Sequence, residues 1–263
     1  MIEHHKKLII PASLSKFSFV IKDTLSNEII FFASEAIDLK TSLEEQLDQF
    51  FLRYKQLTAA YDEILVYHDN CLNTFVPHAY FDEQHLGHYL QYNTKVFSTD
   101  YFDYDQVGDY DFNNVFIPYV SINNYLLDKY TSFTYKNINT PLVDCLLQKS
   151  TQEEGVQVYA FIKKDHFELV LANNGKLILF NSFTFQNAQD FIYYILFTYE
   201  QLQLDPESVP LHLLGRVDKR DALYEEAYTY IRFVTIIEDK AAIHEDLLLH
   251  HLVPKQHYIL FHS

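Results

Sequence analysis

The order of the apolar segments constrains the fold of this 263-residue chain more than any other feature of the sequence. In the second half, β-prone runs at 156–162, 167–171 and 176–183 follow one another as strands. Asn174-Gly175 between the last two is a strong signal for a tight hairpin, because both residues tolerate positive φ. In the first half, runs at 17–21 and 28–33 flank turn residues and predict another hairpin.

Helical and strand patterns then alternate in both halves. Thr41 or Ser42 can cap a helix, with Glu44 or Glu45 three residues later and an apolar face from Leu43 onwards. Further helices are predicted at 82–91, 122–129, 139–150, 187–202, 219–230 and 239–251, and further strands at 63–67, 71–77, 114–120, 211–214, 233–237 and 258–261. Hairpins followed by strand–helix alternation indicate mixed sheets covered by helices, in an α/β protein. We expect two domains, 1–138 and 139–263, with a connecting helix at the start of the second.

The excess of acidic residues and the lack of long apolar segments argue against two classes of binding partner, nucleic acids and membranes. The chain carries 20 Lys and Arg against 36 Asp and Glu, a formal charge of −16, which argues against binding along a nucleic-acid backbone. Its most apolar stretch, 191–197, is far shorter than the ~20 residues that span a bilayer, and no segment resembles a signal-peptide core. Two cysteines give no disulfide framework. We therefore expect an acidic cytoplasmic protein with neither a nucleic-acid nor a membrane partner.

Three other patterns suggest sites, and each has a simpler interpretation. His85 and His88 place two imidazoles near one helix face, but no third metal ligand is evident, so a solvated helix face is the preferred interpretation. The segment 100–111 partly matches a calcium loop, but Val107 stands where an oxygen ligand is required and Asn114 where a bidentate Glu is required. It is predicted as an acidic surface loop or as a segment that binds a partner through its aromatic residues, and the preferred interpretation is a loop whose aromatic residues pack on their own domain. The helix at 191–199 is apolar nearly all round and predicts burial between domains or in a homodimer.

Two series of hairpin strands, each followed by strand–helix alternation, resemble the actin-like ATPase fold, a duplicated ribonuclease-H-like arrangement. The chain is also similar to an uncharacterised family of Bacteroidetes proteins of unknown function. This resemblance extends from about Lys16 to Phe261 and includes the stretches VYAFIKKDHFELV at 158–170 and LHLLGR at 211–216. It implies two lobes, each a mixed sheet with flanking helices.

The resemblance also implies positions for a nucleotide. Members of the superfamily hold phosphates in two hairpin turns that contain Asp followed by Gly, and seat the adenosine on a glycine-rich turn. The corresponding positions here are Asp23, Asp165 and Gly215, and neither hairpin turn contains glycine. ATP with Mg²⁺ is the cofactor that these positions imply. The missing glycines predict that ATP is not hydrolysed, because glycine lets backbone N–H groups approach a phosphate.

The leading hypothesis is a catalytically silent binding or scaffold protein, with another protein as partner or with itself as a homodimer. A degenerate nucleotide-binding protein or ATPase is the alternative. The third hypothesis is an enzyme that uses Asp23, Asp165 and Glu168 with a divalent metal. No catalytic residue and no resident metal site are assigned from the sequence.

Overall fold

The computed structural model describes residues 5–38, 40–237 and 258–261. Contacts between residues divide the chain into two compact units, with the change from the first to the second between Thr140 and Pro141. The short C-terminal helix at 258–261 belongs to the second unit. No helix among the described residues is both long and apolar enough to cross a membrane.

Unit 1 is built on a five-stranded mixed sheet. In chain order its elements are β1 (Lys6–Ala12), β2 (Lys16–Asp23), β3 (Ile29–Ala36), α1 (Leu43–Arg53), β4 (Glu63–His68), β5 (Asn73–Pro77), α2 (Leu86–Leu90), β6 (Asp103–Gln106), β7 (Phe112–Phe116), α3 (Val120–Lys129) and β8 (Thr134–Asn137). The main sheet has the order β3-β2-β1-β4-β8. β2 pairs antiparallel with β1 and β3, whereas β4 runs parallel to β1 and β8.

Aromatic packing fixes α1 on this sheet. Phe17 and Phe19 of β2 contact Phe50 of α1 edge to face, at ring-centroid distances of 5.0 and 5.7 Å. All three rings are buried, and α1 begins where the Ser42 side chain accepts a hydrogen bond from the backbone N–H of Glu45. The apolar residues that recur along α1 are thus those that pack on the sheet. The predicted N-cap at Ser42 is confirmed.

An insertion between β4 and α3 forms a separate small layer within unit 1. Its three strands pair antiparallel in the order β5-β7-β6, and α2 packs against them. Val76, Leu90 and Val115 are the buried centre of its core. In the second unit, β12 is followed directly by α6, and the described residues between them, 216–221, form no helix or strand in place of this insertion.

Unit 2 repeats the architecture of the main sheet of unit 1. Its elements are α4 (Asn139–Ser150), whose first two residues belong to unit 1, then β9 (Val156–Ile162), β10 (His166–Asn173), β11 (Lys176–Thr184), α5 (Ala188–Gln201), β12 (Leu211–Gly215), α6 (Ala222–Tyr230), β13 (Val234–Ile236) and α7 (Tyr258–Phe261). The sheet order is β11-β10-β9-β12-β13. The predicted Asn174-Gly175 turn is confirmed, with φ of 46° and 76°.

The two sheets match residue by residue in their first hairpins. β1 and β2 begin at Lys6 and Lys16, and β9 and β10 begin 150 residues later in each case. The last pair before the turn is Ala12 with Phe17 in unit 1 and Ile162 with Phe167 in unit 2. Both sheets also carry an irregularity at the same point, after residue 21 and after residue 171. The chain is therefore an internal duplication.

The structure differs from the sequence predictions at several elements. β1 was not predicted as a strand, and neither were the short strands β6 and β8. The helix predicted from residue 219 begins at Ala222, after an N-cap at Asp221. The strand predicted at 258–261 is wrong, because these residues form a helical turn. An apolar run of four residues is too short for its periodicity to distinguish a helix from a strand. The helix predicted at 239–251 lies outside the described residues.

Candidate functional site

The turn between β9 and β10 brings four ionisable side chains together at one end of the sheet of unit 2. We call Lys163, Asp165, His166 and Glu168 the charged turn. Asp165 Oδ1 lies 2.7 Å from Nδ1 of His166, and this contact holds the pKa of the exposed Asp165 carboxyl below its usual range. On the other side of the ring, His166 Nε2 lies 3.6 Å from Glu168 Oε1.

Glu168 is the buried member of the charged turn, with none of its side chain exposed. Lys163 Nζ lies 3.6 Å from its Oε1, and the Ser182 hydroxyl of β11 donates a short hydrogen bond to its Oε2. A buried carboxylate is stable only when its charge and lone pairs are satisfied in this way. These contacts stabilise the buried carboxylate of Glu168. They also hold the Lys163 side chain against the sheet, so that it does not extend into solvent.

Gly215 ends β12 beside the charged turn, with a positive φ of 91°. A Cβ atom at this position would stand 2.3 Å from the carbonyl oxygen of Ile162, the last residue of β9. The backbone N–H of Arg216 donates to that same carbonyl at 2.8 Å. Glycine is thus required here by a close approach between two strands of the unit.

Two backbone donors beside the charged turn are engaged within the protein. The N–H of Lys163 donates to the carbonyl of His166 at 2.9 Å, and the N–H of Val217 donates to the carbonyl of Gly215 at 3.0 Å. A phosphate-binding turn needs successive N–H groups that point towards the ligand. At this end of the unit 2 sheet, the named donors instead close the turns on themselves.

Asp23 occupies a different position in its own unit. Since β1 precedes β2, the first hairpin turn is at 13–16, and Asp23 lies in the turn between β2 and β3, paired with Lys6 at the start of β1. The predicted correspondence between the turns 22–26 and 163–167 is therefore wrong. Asp23 accepts backbone hydrogen bonds from Ser26 and Leu25, both at 2.9 Å, which hold its pKa below the usual range. Its place at a nucleotide stays a prediction.

The first hairpin turn has no charged group at the positions equivalent to Lys163 and Asp165. Its residues Ser13, Leu14 and Ser15 replace Lys163, Lys164 and Asp165 of unit 2. The hydroxyl oxygens of the two serines lie 3.4 Å apart, and the N–H of Ser13 donates to the carbonyl of Lys16 at 3.0 Å. The two halves thus share a turn geometry but differ in its chemistry.

A buried polar network that the sequence did not suggest connects the insertion of unit 1 to its main sheet. Asn73 donates to the Asn114 side chain at 2.8 Å, and Asn139 donates to the Asn73 side chain at 2.9 Å. We call this network the asparagine cluster, and its members are Asn70, Asn73, Asn114, Asn137, Asn139 and Thr140, together with Asp105 of β6. All seven are buried. The sequence did not reveal this cluster because its members lie up to 70 residues apart.

Asp105 is the titratable member of the asparagine cluster. Its Oδ2 accepts from the backbone N–H of Asn137 at 2.9 Å and from the Thr140 hydroxyl at 2.5 Å. Burial nevertheless dominates and raises the pKa of Asp105 to about 7. The prediction that 100–111 is a surface loop is wrong at this residue, because β6 carries Asp105 into the interior.

His85 and His88 lie at the insertion, beside a surface depression of about 700 Å³. Their rings stack at 5.1 Å, and His85 Nδ1 lies 2.7 Å from Asp82 Oδ2. Within residues 5–38, 40–237 and 258–261, no third His, Cys, Asp or Glu side chain completes a group of metal ligands around this pair. His85 and His88 are therefore an exposed pair of stacked rings, and the carboxylate of Asp82 orients the first of them.

Comparison with known proteins identifies the fold. No curated protein sequence matches the chain. A Bacteroides thetaiotaomicron protein with an actin-like ATPase fold and unknown function is similar over 93% of this chain and 94% of its own, with a TM-score of 0.81 and 24% identity. A PilM-PilN type IV pilus biogenesis complex is similar over 97% and 96%, with a TM-score of 0.56 and 12% identity. The predicted actin-like ATPase fold is confirmed.

The sequence also shows the family. A family model described as a protein of unknown function (DUF3822) matches residues 2–234, nearly the whole chain. This agrees with the predicted membership of an uncharacterised family with this fold. The chain belongs to the DUF3822 family of proteins of unknown function.

Proposed function

We propose that this protein is a binding or scaffold module on an actin-like fold and that it does not hydrolyse ATP. The observation that carries the proposal is the state of the charged turn. Its buried carboxylate, Glu168, is paired with Lys163 and Ser182, and the N–H of Lys163 is bonded to His166. A phosphate would have to break these internal contacts, and the cost of leaving Glu168 unpaired opposes this.

A partner protein is the ligand that this proposal implies. The similar PilM-PilN structure is a complex of two proteins, so a protein of this fold can act through protein contacts. The formal charge of −16 favours a partner with basic groups and disfavours self-association through an acidic surface.

Thermal unfolding in the presence of ATP, ADP and Mg²⁺ tests the proposal. A ligand at 100 times its dissociation constant adds about 2.7 kcal/mol to the free energy of unfolding, which shifts the midpoint visibly. We expect no shift with up to millimolar nucleotide. A shift that depends on nucleotide and disappears in Asp165→Asn would contradict the binding-module proposal.

A degenerate nucleotide site is the second candidate, and one observation favours it. Asp165 and Gly215 both lie at the carboxyl ends of the parallel strands of unit 2, β9 and β12. Ligands of open α/β sheets are commonly bound at such ends. Under this alternative, Asp165→Asn weakens the nucleotide-dependent shift.

A further inference from the structure

The outer strand of the unit 2 sheet is long and carries little protection. β11 has nine residues and, among the described strands, pairs only with β10. Apart from Lys176 at its start it contains no charged residue and no proline, and its one irregularity lies near that same end, where Leu171 pairs with Leu179 and Ala172 with Leu177. Natural sheets protect their edges with charge, proline, bulges or short strands, because an open edge is a template for another strand. The length and apolar character of β11 therefore suit it to pairing with a further strand.

Aromatic rings extend from this edge onto the neighbouring helix. Phe183 of β11 stacks on Tyr194 of α5 at 4.7 Å, Tyr194 contacts Tyr193 at 5.4 Å, and Tyr193 stacks on Phe197 at 6.1 Å. We call Tyr193, Tyr194 and Phe197 the aromatic face of α5. Tyr193 is 59% exposed and Phe197 is 45% exposed, so the helix predicted to be buried on several sides leaves this face in solvent.

The size and charge of this surface argue against a second copy of the chain as its occupant. The exposed parts of Tyr193 and Phe197 together amount to about one aromatic side chain, ~200 Å². A standard interface buries about 800 Å² on each partner. Each copy also carries a formal charge of −16, and α5 itself contributes Asp190 and Glu200 with no lysine or arginine. Like charges at a self-interface oppose association.

We propose that β11 binds an extended, basic segment of another protein as an added strand, with the side chains of that segment packed over the aromatic face of α5. The proposal rests on the proposed binding function and names its surface and its partner chemistry. Main-chain hydrogen bonds to the strand edge supply affinity, and alternate side chains supply specificity. Arginine suits these alternate positions, because its guanidinium stacks on aromatic rings and pairs with carboxylates such as Glu200.

Fluorescence anisotropy with a defined peptide tests the surface. The probe is a fluorescein-labelled nine-residue peptide in which valine alternates with arginine. One control peptide has glutamate in place of arginine, and another has alternate backbone nitrogens methylated, which blocks strand pairing. We expect binding of the arginine peptide, at least tenfold weaker binding of the glutamate peptide, and loss of binding on methylation.

Variants of the protein locate the contact. The double substitution Tyr193→Ser and Phe197→Ser is expected to weaken binding of the arginine peptide about tenfold, since two exposed aromatic contacts are lost. Tyr228→Ser is the matched control. Tyr228 is 63% exposed on α6, where it stacks on Tyr224, and its substitution is expected to leave binding unchanged.

Four results would overturn the inference: no binding of the arginine peptide at millimolar concentration, equal binding of all three peptides, an equal effect of the two sets of variants, or a dimer in sedimentation that the double substitution dissociates. The last would make a second copy the occupant. Failure of the peptide test leaves the proposed function standing if nucleotide still causes no thermal shift. A nucleotide-dependent shift refutes the proposed function independently of the peptide result.

Discussion

Replacing Asp105 with asparagine is expected to stabilise the protein at alkaline pH and to have less effect in acid. Asparagine keeps the carbonyl oxygen that accepts from the N–H of Asn137 and the hydroxyl of Thr140, and it cannot ionise. The substitution therefore imitates the protonated carboxyl that burial favours. It changes the charge state of one buried group while the shape of the asparagine cluster is retained.

The magnitude follows from the difference in pKa between the folded and unfolded states. The folded pKa of about 7 is above the ordinary value of 3.8, so the folded state holds a proton that the unfolded state releases. The free energy of unfolding consequently falls as pH rises from about 4 to about 7, and it changes no further above that range. Three pKa units correspond to about 4 kcal/mol, and roughly 2–3 kcal/mol of this is lost between pH 5 and pH 8.

Urea unfolding followed by circular dichroism, at pH 5, 6, 7 and 8, measures this effect. The stability of Asp105→Asn relative to the natural chain is expected to increase from pH 5 to pH 7 and to level off by pH 8. Asp109→Asn is the matched control, because Asp109 is an exposed carboxylate three residues after the end of β6. A constant difference between Asp105→Asn and the natural chain, parallel to that of the control, would refute the assignment of a buried protonated carboxyl.

Three further substitutions test the fold. Gly215→Ala is expected to cost about 3 kcal/mol or more in thermal unfolding, because its Cβ would meet the carbonyl of Ile162, whereas Gly155→Ala, which also has positive φ but open space around it, is expected to cost about 1 kcal/mol. Equal losses would argue against the close approach. Ser42→Ala is expected to cost about 1 kcal/mol through loss of the N-cap, and a change below experimental error would contradict that role. Phe19→Ala is expected to cost about 3–5 kcal/mol in urea unfolding, and a loss under 1 kcal/mol would show that this fully buried ring is not central to the core.

The sequence was sufficient for elements with a clear period or a clear turn. The hairpin at Asn174-Gly175 and the helix that begins after Ser42 were both predicted, because positive φ and side-chain capping are local properties of a few residues. The order of these elements was enough to predict two lobes of the actin-like fold, which the similar Bacteroides structure confirms.

The central strand of unit 1 was missed for a physical reason. β1 is buried from Leu8 to Ala12 and so has no alternation of polar and apolar residues, and Pro11 argues against a central strand. The sheet accommodates the proline locally: pairing with β2 extends from Lys6 to Ile9 and resumes at Ala12, and the Ser18 hydroxyl donates to the Pro11 carbonyl at 3.2 Å. Because β1 was not predicted, the turn between β2 and β3 was predicted as the first hairpin turn, and Asp23 was assigned to it.

The candidate site was only partly accessible from sequence. Asp165 was predicted through the resemblance to the actin-like fold, and its turn does lie between two strands that the sequence predicts. The pairing of Lys163 with Glu168, in contrast, depends on which face of β10 is covered, and the asparagine cluster depends on contacts between segments distant in the chain. Asn and Asp are usual in loops, so their burial in the cluster had no local signal.

The identical spacing of the two first hairpins determines which kinds of change either half can tolerate. Along β10, Phe167 and Leu169 face the apolar core and alternate with Glu168. One added or deleted residue in such a strand would move every following side chain to the other face of the sheet. The carboxylate of Glu168 would then lie in the apolar core, and a phenyl ring would lie on the face that Glu168 now occupies. Substitutions carry no such penalty. Divergence after the duplication could therefore place Ser18 in one half and Glu168 at the equivalent position of the other without changing the length of the strand, which explains how the two first hairpins keep the same spacing while their residues differ.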